Sequence, residues 1–182
     1  LLTLSGCFFR EPEDLYQSPE QSADYLSLTQ TIRNVKDSLA QEYGVEVEDV
    51  SVMSGDNTAL IQLQDLDRDG ERETAVTFFR VSEAEKPLKI YFFTRTAEDT
   101  YTVSAMVEGN GTAIYRVDYV DLNGSGCKEV VVSWQMSTGV YLLGAYSLEE
   151  AMVRSLQYAA SAPAGSASAQ GLPDREALRA TE

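Results

Sequence analysis

Two stretches of the chain repeat each other at an offset of 56 residues, and this repeat constrains the fold more than any other feature. Asp65 aligns with Asp121, Leu66 with Leu122, Asp67 with Asn123, Gly70 with Gly126 and Glu73 with Glu129. Apolar, alternating residues flank both copies, at 61–64 and 74–76 in the first and at 117–120 and 130–132 in the second. Each copy therefore reads as a strand, a tight acidic loop and a second strand. Oxygen side chains at loop positions one, three and five, with Gly at six, let a chain curl round a single cation. Position seven adds a backbone carbonyl and position nine another carboxylate. The first copy offers Asp65, Asp67, Asp69, the Glu71 carbonyl and Glu73. The second offers Asp121, Asn123, Ser125, the Cys127 carbonyl and Glu129. The opening matches an EF-hand loop, but position twelve is Val76 or Val132 where that loop carries a bidentate Glu, and no helices flank it. Asx turns without metal are the plain alternative for such residues. Three carboxylates plus Glu73 within nine residues repel one another, and a divalent cation relieves that repulsion.

The rest of the pattern places these loops in an antiparallel β domain. Short apolar or alternating runs at 59–64, 74–81, 88–93, 100–107, 113–120, 129–134 and 140–146 are separated mostly by Gly, Asn or Asp. Alternation over 113–120 puts Tyr115, Val117 and Tyr119 on one face, with Arg116 and Asp118 on the other. Ahead of the strands, Tyr25, Leu28, Ile32, Val35, Leu39 and Tyr43 recur at spacings of three and four. Ser18 as N-cap, Pro19 at the first helical position and Gln21 form a start signal, and Gly44 offers a left-handed stop. An amphipathic helix over 19–44, packed on its own domain, is expected. The division expected is thus 1–18 leader and tether, 19–44 helix, 45–150 β repeats and 151–182 tail.

With a strand, an Asp-x-Asp-x-Asp-Gly-x-x-acidic loop and a second apolar strand, residues 58–148 resemble the FG-GAP/VCBS family of β-propeller repeats, found also in integrin α-subunit heads. The first loop matches at each key position, with Glu73 where the integrin version has Asp; the second departs at Ser125. The resemblance implies calcium in the loops as a structural brace, and a surface used for binding. Four to eight blades close a propeller. Here one blade of four strands is followed by three strands, so the expectation is an incomplete, open propeller: a fragment of a longer precursor, or an open sheet capped by the helix.

Composition narrows the chemistry. The 182 residues contain no His, two Cys and a formal charge of −15. That excludes a Ser-His-Asp triad, a Cys-His dyad, a His-ligated zinc site and a four-cysteine cluster. The charge argues against a nucleic-acid backbone and suits hard cations, which take carboxylate oxygens. No second acid can be placed opposite the dense acidic loop, as a glycosidase needs. Gly109-Asn110-Gly111 lacks a following helix, so it is no phosphate loop. Trp134, Tyr91, Phe92, Phe93, Tyr101 and Tyr141 could stack sugars, but each lies in a strand and core packing is the stronger reading.

The chain opens Leu1-Leu2-Thr3-Leu4-Ser5-Gly6-Cys7 without Met or a basic segment, which reads as the end of a secretory leader. Leu4-Ser5-Gly6-Cys7 resembles the bacterial lipobox, which implies cleavage before Cys7 and a lipid on its thiol. Residues 8–18 are acidic with one Pro, as a tether would be. Residues 151–182 are rich in Ala and Ser; a flexible tail is expected, with a short helix over 151–160 and no strand, and a shifted reading frame would explain the break in composition. The function expected is a non-catalytic, calcium-binding surface lipoprotein held at the membrane through Cys7, outside the cytoplasm, with a protein or glycan ligand and no nucleic acid. The alternatives are an accessory domain of a surface hydrolase, or a metal-free structural remnant.

Overall fold

The computed structural model describes residues 23–96, 98, 100–148 and the strand at 154–160. Cys7, the tether over 8–18, the helix-start residues Ser18, Pro19 and Gln21, and residues 161–182 lie outside the described residues.

Helix α1 (Ala23–Tyr43) turns its apolar stripe inward: Leu28 and Leu39 are buried, and Ile32, Val35 and Tyr43 pack beside them. It stops where expected. Gly44 takes φ +69°, a left-handed conformation in which its N–H donates to the Ala40 carbonyl at 2.9 Å.

Two antiparallel sheets follow. In the first, β1 (Glu48–Asp49) and β2 (Ile61–Gln64) both pair with β3 (Thr74–Arg80), which pairs with β4 (Leu88–Arg95), and β4 with β5 (Tyr101–Gly109). In the second, β6 (Ala113–Val120), β7 (Glu129–Ser137), β8 (Val140–Ser147) and β9 (Arg154–Ala160) follow one another in order. The sheets face each other across one core. Val76, Phe78, Ile90 and Phe92 from the first meet Ile114, Val117, Val132 and Trp134 from the second. The helix covers the first sheet's outer face, on Ala75, Phe79, Tyr91 and Phe93. This helix–sheet–sheet layering explains why six consecutive residues of β3 are buried: alternate side chains serve two different cores. Among the described residues the architecture is mainly β with antiparallel sheets and one helix, as expected, and neither sheet closes into a barrel.

Two expectations are corrected. Residues 154–160 form neither helix nor tail: β9 pairs with β8 along its whole length, from Tyr141↔Ala160 to Ser147↔Arg154. The second unit therefore has four strands, not three. Within Arg154–Ala160 only Leu156 and Tyr158 stand as large alternating apolar residues, too short a pattern to read as a strand, and the strand state comes with the partner edge that β8 supplies. The alternation on β6 is also interrupted. Register passes from Ile114↔Trp134 to Arg116↔Ser133, leaving Tyr115 as a bulge. One extra residue reverses the faces upstream, so Ile114 joins Val117 in the core. Tyr115 packs instead on Tyr141, with ring centroids 4.7 Å apart. The connection from β1 covers this edge: Met53 and Ser54 donate N–H bonds to the Ile114 and Tyr115 carbonyls at 3.1 and 2.8 Å.

The remaining aromatics are structural. Trp134 and Phe92 lie in the inter-sheet core, and Phe93, Tyr101 and Tyr91 under the helix. The Gly-x-Gly of the β5–β6 connection also serves packing, since a Cβ at Gly109 would lie 2.4 Å from the Trp134 ring.

Candidate metal centre

The β2–β3 connection (65–73) and the β6–β7 connection (121–129) are equivalent in space as well as in sequence. Each joins the first two strands of a four-strand antiparallel run. Each takes positive φ at loop positions four and six: 63° at Arg68 and 76° at Gly124, then 99° at both Gly70 and Gly126. Their hydrogen bonds match step for step. The N–H of Gly70 donates to Asp65 Oδ2 and that of Gly126 to Asp121 Oδ2, both at 3.2 Å. Asp69 N–H donates to Asp67 Oδ1 at 3.2 Å, and Ser125 N–H to Asn123 Oδ1 at 2.7 Å. Glu71 N–H reaches Asp69 Oδ1 at 2.7 Å, and Cys127 N–H reaches Ser125 Oγ at 3.3 Å. Short oxygen side chains at positions one, three and five thus turn the backbone inward in both copies.

The loops differ at positions one and nine. In the second, Gly124 N–H donates to Asp121 Oδ1 at 2.6 Å, and Leu122 N–H to Glu129 Oε2 at 2.7 Å, with Glu129 buried. The corresponding oxygens of the first loop, Asp65 Oδ1 and Glu73 Oε2, are buried and receive no hydrogen bond. Buried polar atoms are nearly always satisfied, so a pair of bare carboxylate oxygens calls for a cationic or donor partner. Both residues belong to a cluster in which one carboxylate oxygen each of Asp65, Asp67, Asp69 and Glu73 lies within 4.8 Å of the others. These four residues could hold a metal ion. The Glu71 side chain turns away to pair with Arg95 on β4 and is not among the four. The Cys127 thiol is free and half-buried.

Three basic residues escaped the sequence reading. Lys128, in the second loop, donates its backbone N–H to the Leu66 carbonyl at 2.7 Å and its Nζ to the Asp65 carbonyl at 2.6 Å. Arg68, in the first, reaches Asp121 Oδ2 at 3.5 Å. The two loops therefore clasp each other across the seam between the sheets. The only hint in the sequence is a basic residue at position four of one acidic loop and position eight of the other. Arg95, which holds Glu71, carries no local signal at all.

Gln62 ties the same region from beneath. It is buried, accepts a 2.5 Å hydrogen bond from the Tyr119 hydroxyl and donates to the Asn57 and Ala59 carbonyls at 2.8 and 3.1 Å. Burial pushes the Tyr119 phenol far above the ordinary tyrosine range.

No helix among the described residues is long and apolar enough to cross a membrane. Compared with protein-family models, curated proteins and solved structures, the chain matches none.

Proposed function

We propose that this chain is a non-catalytic bacterial surface lipoprotein whose FG-GAP/VCBS-like repeats are braced by calcium in the first loop and present a binding surface outside the cytoplasm. One observation carries the ion: Asp65 Oδ1 and Glu73 Oε2 are buried and bare where their counterparts in the second loop each accept a backbone N–H. A cation supplies in one copy what two hydrogen bonds supply in the other. The donor set is oxygen only: four carboxylates in one turn, to which the loop spacing would add the Glu71 carbonyl. That suits calcium, which accepts six to eight oxygens with loose geometry, better than magnesium, which demands a tight octahedron. Asp121, Asn123, Ser125, Cys127 and Glu129 form a loop of the same shape closed by its own hydrogen bonds.

Two four-strand meanders stacked face to face, each with the loop between its first two strands, also suit consecutive blades of an open propeller-like array. The anchor rests on Leu4-Ser5-Gly6-Cys7, and an acylated Cys holds a protein at a bilayer when it carries more than one chain. Calorimetric titration of the purified chain tests the ion. One bound calcium per chain is expected; two would make both loops sites, and a flat trace would remove the metal. Incorporation of labelled fatty acid, absent from Cys7→Ala, tests the anchor. Turnover on a panel of glycans or peptides would replace the binding role with an enzymatic one.

A further inference from the structure

We infer that Lys128 makes the first loop's ion site a property of both repeats, so that calcium bound at 65–73 orders the second loop and the seam between the sheets. This rests on the calcium reading above. The ligands come from one repeat, but the residue that fixes the backbone under the first ligand comes from the next. Lys128 bonds two successive carbonyls, those of Asp65 and Leu66, through its ammonium and its own N–H. Asp65 is position one of the loop and carries one of the bare oxygens. An ion that draws in Asp65 also fixes the carbonyl that Lys128 holds. Lys128 directly precedes β7, whose first residue, Glu129, closes the second loop on Leu122 N–H. Fixing Lys128 therefore fixes the whole turn. Arg68 returns the contact to Asp121 from the other side, through a more exposed and longer pair. Coupling of this kind is reciprocal: a loosened second loop costs the first loop affinity by the same factor that calcium lends to the second.

Hydrogen exchange read by mass spectrometry on the full chain, in chelator and in saturating calcium, tests the inference. The second loop carries well-placed reporters, since the N–H groups of Leu122, Gly124, Ser125, Gly126, Cys127 and Lys128 are all hydrogen-bonded. Calcium should slow exchange at 65–73 and also at 121–129, the latter about fivefold or more, the lower end of ordinary coupling between sites. In Lys128→Met, protection at 65–73 should persist while most of the gain at 121–129 disappears. Calcium binding with protection at 65–73 alone overturns the inference and leaves the ion in place. An unchanged gain at 121–129 in Lys128→Met also overturns it, because the lysine would then carry nothing. No heat on titration and no protection at 65–73 removes the ion, and this inference with it. The wild-type comparison decides the matter even if the variant does not fold.

Discussion

Converting the first loop into a chemical copy of the second, with Asp67→Asn and Asp69→Ser together, should raise stability in chelator and abolish the response to calcium. Asn123 and Ser125 show that both replacements can accept the same backbone N–H groups, so the turn is kept while two charges leave. Four carboxylates within 4.8 Å make six repulsive pairs, and removing two leaves one. At that separation each pair costs about 0.9 kcal/mol at the permittivity of water. Physiological salt roughly halves this. Some repulsion survives unfolding, because all four acids lie within nine residues of one another. The net gain expected is about 1–2 kcal/mol, or a melting temperature roughly 3–6 °C higher for a chain of this length. Wild-type protein should instead gain about 2.7 kcal/mol when calcium exceeds its dissociation constant a hundredfold. That corresponds to a rise of about 5–10 °C. Circular dichroism melts of both proteins, with EDTA and with calcium, give four temperatures. If the double variant melts below wild type in EDTA, or still rises with calcium, the electrostatic account of the loop is wrong.

Three further outcomes follow from the core. Gly109→Ala drives a Cβ to 2.4 Å from the Trp134 ring, which is buried and held by its Nε1–H bond to the Tyr146 hydroxyl at 3.2 Å. Overpacking of this kind costs about 1–3 kcal/mol and should show in urea melts, with Trp134 fluorescence altered in the native state. Lys89 is buried under the helix, paired with Glu108 and 5.4 Å from the Tyr43 ring centroid. Glu108→Ala should cost about 1–3 kcal/mol by stranding the ammonium, whereas Lys89→Met should be close to neutral. Burial raises the phenols of Tyr119, Tyr146 and Tyr91 above their ordinary values. The unfolded chain then loses those protons first, so stability should be full below about pH 10 and fall above it. Tyr119→Phe should flatten that alkaline fall, as melts from pH 8 to 11 would reveal.

The sequence by itself determined the local structure wherever geometry is set by neighbouring residues. The helix stripe and its Gly44 stop, the alternating strands, and both loops with their glycines at position six follow from periods and turn chemistry within a few residues. It also supplied the four acids of the cluster, because their spacing in the chain is their spacing round a point. What it could not supply depends on chain segments meeting. Residues 154–160, with only Leu156 and Tyr158 as large apolar residues, become a strand where β8 presents an edge to pair with. Tyr115 stands outside the inter-sheet core because β6 bulges there, at the edge where the 53–54 segment bonds its backbone. The two loops look alike in the sequence, yet only folding shows that one closes on its own amides while the other keeps bare oxygens, and that Lys128 bridges 63 residues to grip the backbone of its counterpart. Charge and hydrogen-bond balance are settled by distances across the seam between the sheets, and no pattern along the chain encodes them.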